Sequence, residues 1–292
     1  GIKRDISLLK QIDQGQLKQG TQITVLDISM EKNRKELDQL LENNQQVLYI
    51  DHHRAGEIPT SKNLKAHINL SADTCTALIV DELLQHKHHY WAIAAAYGDN
   101  LVAVADALCT KAGLNAEQAS QLKELGTLIN YNGYGTSIDD LAFHPADLYK
   151  ALIKYPNPFD CIADSNSPFY VLQTAFNKDF ANAEQGDKLY ESEQLLAFLL
   201  PDEAWSRRIS GTYGNHLANH YPNRAHLVLT TLDTDHYLVS LRAPLNNKTG
   251  AGELCSQFDT GGGRAGAGGI NRLPKKQLNK LISVITEYYG KG

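Results

Sequence analysis

Three consecutive residues, Asp51-His52-His53, directly follow the apolar run Val47-Leu48-Tyr49-Ile50, and Asp27 sits within an earlier run of the same kind. Carboxylate oxygens combined with imidazole nitrogens suit Mn, Fe or Zn better than Mg or Ca, which prefer all-oxygen shells. On its own the tripeptide also describes a polar loop leaving a strand. Asp99, in Ala96-Tyr97-Gly98-Asp99-Asn100, interrupts a strongly apolar stretch. A carboxylate in such surroundings needs a partner, and a cation is one. A second group lies near the end of the chain, where Gly261-Gly262-Gly263-Arg264-Ala265-Gly266-Ala267-Gly268-Gly269 could let backbone N–H groups close on an anion. Arg264 would add a planar, two-pronged donor for phosphate. A flexible turn would have the same composition. Arg242, closing Val239-Ser240-Leu241-Arg242, reads by itself as a surface residue after a strand. His86, Lys87, His88 and His89 could suggest a metal, but they end a predicted helix, where cations suit the helix dipole and a surface role suffices. The loop 130–135, with Tyr131 and Tyr134, could stack on a base or be loop chemistry alone.

The elements that must position these residues follow from pattern. Residues 23–28 read as a buried strand. Ser29 is a fitting N-cap for a helix with Leu37, Leu40 and Leu41 on its apolar face, stopped by Asn43-Asn44. Residues 47–50 form the next strand. Strand, helix and strand in so short a span make a βαβ unit with parallel strands, so Asp27 and Asp51 fall at the carboxyl ends, where open α/β sheets hold their sites. A strand over 66–70, a helix opening near Asp73-Thr74 and a helix over 91–108 follow. Residues 116–199 read mainly as helices, with loops at 130–135, 155–160 and 164–168. A hairpin over 226–232 and 236–242, a helix over 251–258 and a terminal helix over 274–289 complete the chain. The expected class is α/β: a parallel-sheet domain over 1–190 and a smaller α/β domain over 206–292, with the boundary between 185 and 205.

Composition narrows the function classes. The chain has 292 residues, 42% hydrophobic and 21% charged, as ordinary globular proteins do. Its net charge of −5 is uneven, at −11 over residues 1–205 and +6 over 206–292. An acidic part before a basic part suits a metal site in one and anion capture in the other, and overall acidity argues against tracking along duplex nucleic acid. Cys75, Cys109, Cys161 and Cys255 are too widely spaced for a zinc knuckle or a small disulfide scaffold. No apolar stretch is long enough for a membrane span and no signal-like segment opens the chain, so the expectation is a cytoplasmic protein with reduced thiols.

Taken together, Asp27, then Asp51-His52-His53, then Asp99, then the glycine run resemble, in order, the motifs of the DHH phosphoesterase superfamily and the DHHA1 domain that follows in one of its branches. The resemblance spans residues 23–270. It implies a pair of divalent ions, usually manganese, with Mg²⁺ or Co²⁺ as substitutes. Asp27 would bridge both ions, His52 and Asp99 would bind one, His53 would face the phosphate or leaving oxygen, and Asp51 would orient His52. Arg242, Gly261, Gly262, Gly263 and Arg264 would hold substrate. Two departures stand out. Many relatives carry His where this chain has Arg264. The family's first motif, Asp-x-Asp-Gly, is absent before Asp27, and the sole Asp-x-Asp, Asp233–Asp235, falls in the predicted hairpin turn. The expectation is that roughly thirty leading residues, a strand-plus-helix length, precede this sequence in the whole protein.

The resemblance implies hydrolysis of very short 5′-phosphorylated oligonucleotides such as pGpG to mononucleotides. A cyclic-dinucleotide phosphodiesterase and a 3′-phosphoadenosine phosphate phosphatase are the rival activities. A non-catalytic binder of nucleotides or RNA ends is the rival from another class. No membrane or long-duplex partner is expected, and the sequence leaves the oligomeric state open.

Overall fold

A computed structural model describes residues 6–290. Among them, no helix is long and apolar enough to cross a membrane. The fold is mixed α/β, and the chain divides into two compact units. One runs to Asn130 and takes in Pro145–Tyr170, and the other comprises Tyr131–His144 and the chain from Val171 onward.

The first unit is built on β1 (Gln22–Leu26), β2 (Gln46–Asp51) and β3 (Leu64–Ile68), paired in parallel in that order. Helix α1 (Arg34–Glu42) makes the crossover from β1 to β2. Its Leu37, Leu40 and Leu41 are buried with Val25, Val47, Tyr49 and Met30, which is the packing the apolar spacing predicts. The start of that helix differs from expectation. Ser29 does not cap it, because the Ser29 hydroxyl donates to the Arg54 carbonyl. A 3₁₀ turn, Glu31–Asn33, leads in, and the buried Asn33 side chain ties it down by accepting from the Leu9 N–H and donating to the Ser29 carbonyl.

Helices α2 (Thr76–Leu83), α3 (His89–Gly98), α4 (Val102–Lys111), α5 (Ala116–Tyr131), α6 (Pro145–Leu152), α7 (Pro158–Ala163) and α8 (Pro168–Glu184) follow. The single helix expected over 91–108 is in fact α3 and α4. Asn100 adopts a left-handed φ of 61°, the Leu101 N–H reaches back to the Ala96 carbonyl, and the Asn100 N–H reaches the Tyr97 carbonyl. This is a Schellman ending with asparagine in the place glycine usually takes. Apolar periodicity cannot register it, since both helices are apolar. Helix α3 then crosses α5 with backbone against backbone. A Cβ on Gly126 would lie 1.8 Å from the Ala94 carbonyl oxygen, and one on Gly98 would lie 2.8 Å from the Gly126 carbonyl oxygen.

The second unit holds a six-stranded sheet in the order β4-β5-β6-β7-β9-β8. Its elements are β4 (Asp187–Glu191), β5 (Leu195–Leu200), α9 (Ala204–His220), β6 (Ala225–Thr231), β7 (His236–Arg242), α10 (Ala251–Ser256), β8 (Gly261–Arg264), β9 (Ala267–Pro274) and α11 (Leu278–Tyr289). Strands β5 and β6 pair in parallel across α9, and the other pairs are antiparallel. Residues 131–144 and most of α8 belong to this unit, a division that composition does not signal. Charge pairing holds them: Asp179 of α8 takes the guanidinium of Arg208 through both oxygens and the hydroxyl of Tyr131, while Asp140 takes Arg207.

The glycine run is a strand pair rather than an open loop. Gly261–Arg264 and Ala267–Pro274 form the β8–β9 ladder, and α10 packs on it so closely that side chains would collide. A Cβ on Gly261 would lie 1.8 Å from the Cys255 carbonyl oxygen, and one on Gly268 would lie 2.4 Å from that of Ala251. Packing therefore accounts for these two glycines.

Two outcomes follow. Gly126→Ala should drive α3 from α5 and cost about 1–3 kcal/mol, read as a lower urea midpoint at unchanged m-value. His226 in β6 is fully buried, with Nε2–H donated to the Tyr221 carbonyl and Nδ1 buried without a partner. Burial, and to a lesser degree the charge of Arg224, holds its pKa down to about 4. The unfolded chain therefore binds a proton between pH 6.5 and 4 that the folded one refuses, so stability is full above 6.5 and falls by about 3 kcal/mol across that window. Replacing His226 with Leu should flatten this part of the urea-midpoint profile against pH.

Candidate metal centre

Parallel pairing brings the ends of β1 and β2 side by side. The Asp27 N–H continues the ladder by donating to the Ile50 carbonyl, and the chain then turns through a left-handed φ of 60° at Asp27. Aspartate tolerates that conformation better than most side chains. The strand ends at Leu26, two residues earlier than the apolar run suggests, so Asp27 lies beyond the sheet rim rather than in the strand.

Asp51 closes β2 and is fully buried; His52, nearly buried, and His53, half-buried, follow it. The side chains of Asp51 and His53 meet, while that of His52 turns to Thr74. This corrects the expected role of Asp51. Its Oδ1 lies 2.7 Å from His53 Nδ1, so it holds His53 rather than His52, and its Oδ2 is buried with no hydrogen-bond partner. His52 is oriented instead by the Thr74 carbonyl, 3.0 Å from Nδ1. A carbonyl can only accept, so Nδ1 carries a proton and Nε2 is the nitrogen left to meet a proton or a metal ion.

His52 Nε2 faces two carboxylates. His52 Nε2 is 3.3 Å from Asp27 Oδ1 and 3.5 Å from Asp99 Oδ2. The Asp99 side chain is largely buried at the C-terminal end of α3, put there by the Schellman turn just described. Donor atoms of Asp27, His52 and His53 also lie within 4.8 Å of one another. A nitrogen lone pair and two carboxylate oxygens repel unless a proton or a cation stands among them. The donor set fits a divalent ion: the atoms of Asp27, His52 and His53 gather closely enough to hold one, and Asp99 meets the group through His52 Nε2.

Crowding around Asp27 raises its pKa. The His52 ring, the Thr76 hydroxyl donating to Oδ1 at 2.8 Å and the charges of His52 and His53 outweigh this, leaving the carboxyl below its usual range and ionised at neutral pH. Cys75 has its pKa pushed up to about 11 by burial and by Asp99 and Asp27, so it stays a neutral thiol here. Thr74 and Thr76 are the residues that motif reading missed. The signal was there, since both lie where a helix was expected to open, but nothing in their types shows that they face Asp27 and His52.

The residues expected to hold substrate lie in the second unit. Arg264 is exposed on β8, as is Gly263, and a Cβ on Gly262 would meet nothing within 4 Å. Arg242 is buried and its guanidinium is engaged throughout, at Asn215 Oδ1, Ser240 Oγ, the Leu241 and Gly211 carbonyls and Tyr134 Oη. Asp233, of the Asp-x-Asp in the hairpin turn, pairs with His236 and Arg272. Tyr131 is in the core, paired with Asp179.

No protein-family model matches this chain, and no curated protein matches it in sequence. Solved structures do match. A DHH-domain protein described as a member of a family of ribosomal proteins superposes with a TM-score of 0.57 at 13% identity, over 91% of this chain and 68% of the other. The pGpG-specific phosphodiesterase PggH of Vibrio cholerae superposes with a TM-score of 0.52 at 13% identity, over 94% of this chain and 99% of the other. The likeness is one of fold: this chain has the fold of the DHH-domain proteins.

Thr76→Val removes the hydroxyl that donates to Asp27 while keeping its volume. In metal-free protein, the Asp27 carboxyl should then titrate at a higher pH, measured by carboxyl-carbon NMR. An unmoved Asp27 resonance would show that the threonine does not hold that carboxylate.

Proposed function

We propose that this chain, built on the DHH fold, is a divalent-metal-dependent phosphoesterase whose chemistry resides in its first unit. The observation that carries the reading is His52 Nε2, set against Asp27 and Asp99 with its Nδ1 committed to the Thr74 carbonyl. A divalent ion held there would neutralise charge developing on phosphoryl oxygens and make water more acidic. Among the ions that mixed nitrogen and oxygen donors suit, manganese is the one we assign, on the family resemblance. In the two-ion arrangement that the family resemblance implies, Asp27 would be the residue shared, held in place by the Thr76 hydroxyl.

The chain's own acid–base chemistry falls to His53. With Nδ1–H donated to the buried Asp51 carboxylate, the ring can carry a proton on Nε2 and deliver it to a departing oxygen. Asp51, wholly out of solvent and with one oxygen unpartnered, stabilises the imidazolium and fixes the ring's direction. The second unit's part in this reading is anion binding, with Arg264 as the exposed guanidinium. Arg242 is buried with its donors committed to Asn215, Ser240, Gly211, Leu241 and Tyr134, so its part is structural.

For substrate we infer very short 5′-phosphorylated oligonucleotides such as pGpG, cut to mononucleotides. The support is the full-length fold likeness to a phosphodiesterase of that specificity and the acidic first part with a basic second part. A cytoplasmic setting belongs to the same reading, on four buried free cysteines.

The test is pGpG with Mn²⁺ and the full-length protein, products resolved by chromatography. GMP should appear, a chelator should stop it, and His53→Gln should lower kcat by about 10²–10⁴ with binding retained. Absence of GMP would overturn the substrate. Linear dinucleotide from a cyclic one, or inorganic phosphate from a 3′-monoester, would reassign it. Turnover unchanged by both chelator and His53→Gln would overturn the phosphoesterase reading as a whole.

A further inference from the structure

A second group of metal-type ligands lies where α2 hands over to α3, and it shares no residue with the centre above. Asp81 is in the last turn of α2 and is 5% exposed. Its Oδ2 lies 2.8 Å from His86 Nδ1 and 2.6 Å from His89 Nδ1, and the three donor atoms all fall within 4.8 Å of one another. The other oxygen, Oδ1, is buried and has no hydrogen-bond partner. The His86 side chain is 59% exposed and that of His89 20%, so the group opens to solvent on one side.

Local backbone explains the convergence. Helix α2 ends in a Schellman turn, with the His86 N–H on the Asp81 carbonyl and the Gln85 N–H on the Glu82 carbonyl. Such an ending stacks the residue after the left-handed position over the one five places before it. An apolar pair usually fills those two places, and here they are His86 and Asp81. His89 then enters as the first residue of α3.

From this geometry we infer that Asp81, His86 and His89 form a second divalent-cation site, of the two-histidine, one-carboxylate kind that suits zinc-class ions. Without an ion, one carboxylate oxygen receives both imidazole N–H groups while its neighbour goes unserved at depth, where an unpaired anionic oxygen is costly. An ion spanning the carboxylate would serve Oδ1 and accept both Nδ1 lone pairs. Each neutral ring needs only to move its proton from Nδ1 to Nε2, so no proton is lost. Donors 2.6–2.8 Å apart must open to about 3.3 Å for tetrahedral bonds of roughly 2.0–2.1 Å. His86, being well exposed, can supply that movement. Solvent water would complete the shell. The surface role expected for these histidines is thus incomplete.

The inference stands apart from the phosphoesterase reading, and its test uses a background in which His52→Ala and Asp99→Ala remove the other centre. Chelator-treated protein carrying those changes is titrated with Co²⁺. One equivalent should bind, with the visible d–d bands of an imidazole-ligated ion. Adding His86→Gln and His89→Gln should weaken binding by about a hundredfold and abolish the bands. Urea midpoints in chelator check folding, and Asp81→Asn, which keeps the volume, gives an independent route to the same loss. No binding by the background protein, or binding that survives both sets of substitutions, would overturn the site.

Discussion

The first unit's centre depends on one hydrogen bond, from His52 Nδ1–H to the Thr74 carbonyl. It fixes a proton on Nδ1, and hence leaves Nε2 as the nitrogen that faces Asp27 and Asp99. Were Nδ1 bare, Nε2 would have to keep its proton and could not bind a metal. With Nδ1 committed as a donor, Nε2 can give up its proton, and a cation in that proton's place would meet the same carboxylates. The other contacts reinforce that outcome, because the Thr76 hydroxyl and the neighbouring rings keep Asp27 ionised.

Reaching this arrangement requires the chain to turn sharply in several places, and residues other than glycine do so. Asp27, Asn44, Gln85, His86 and Asn100 all have left-handed φ. Each costs of order 1 kcal/mol relative to glycine, yet each sits next to a group that the centres or the core use. Asp27 must be an aspartate to offer its carboxylate, so glycine is not open to it. Asn44 and Asn100 close α1 and α3 with the residue that best substitutes for glycine in that role. The close crossing of α3 on α5 at Gly98 and Gly126 holds the α3 terminus, and with it Asp99, at a fixed place.

Much of this was legible from residue types. The βαβ unit, its apolar stripe, the positions of Asp27 and Asp51 at strand ends, and the β6–β7 hairpin all follow from period and turn composition. What sequence could not show falls into two kinds. One is helix punctuation inside apolar runs: α3 and α4 are separated only by a hydrogen-bond pattern, to which periodicity is blind. The other is through-space pairing. Asp51 serves His53 rather than His52, and Arg242 is satisfied internally, because of side-chain direction and burial that no spacing encodes. The glycine run was visible as a signal but ambiguous in cause. Small residues are demanded equally by an anion cradle and by a helix lying on a hairpin, and at Gly261 and Gly268 the structure shows the helix.

A common device links the two candidate centres. A Schellman ending does more than stop a helix, since it presents the side chain at the helix cap and the one two residues beyond in fixed relation to the last turn. At α3 it leaves Asp99 at the cap, within 3.5 Å of His52 Nε2. At α2 it lays His86 over Asp81. Two short hydrogen bonds of backbone suffice in each case, and neither needs a loop to be ordered by ligand. Ligands fixed by helix ends in this way are preorganised, so less binding free energy is spent on arranging them. The two centres differ in what surrounds the carboxylates. Asp99 shares its histidine with a partly exposed Asp27 in a cluster with a hydrogen-bonded pair, Asp51 and His53, beside it. Asp81 stands under two histidines with no such pair of its own. Proton transfer beside a bound ion is thus within reach of the first arrangement's residues and not of the second's.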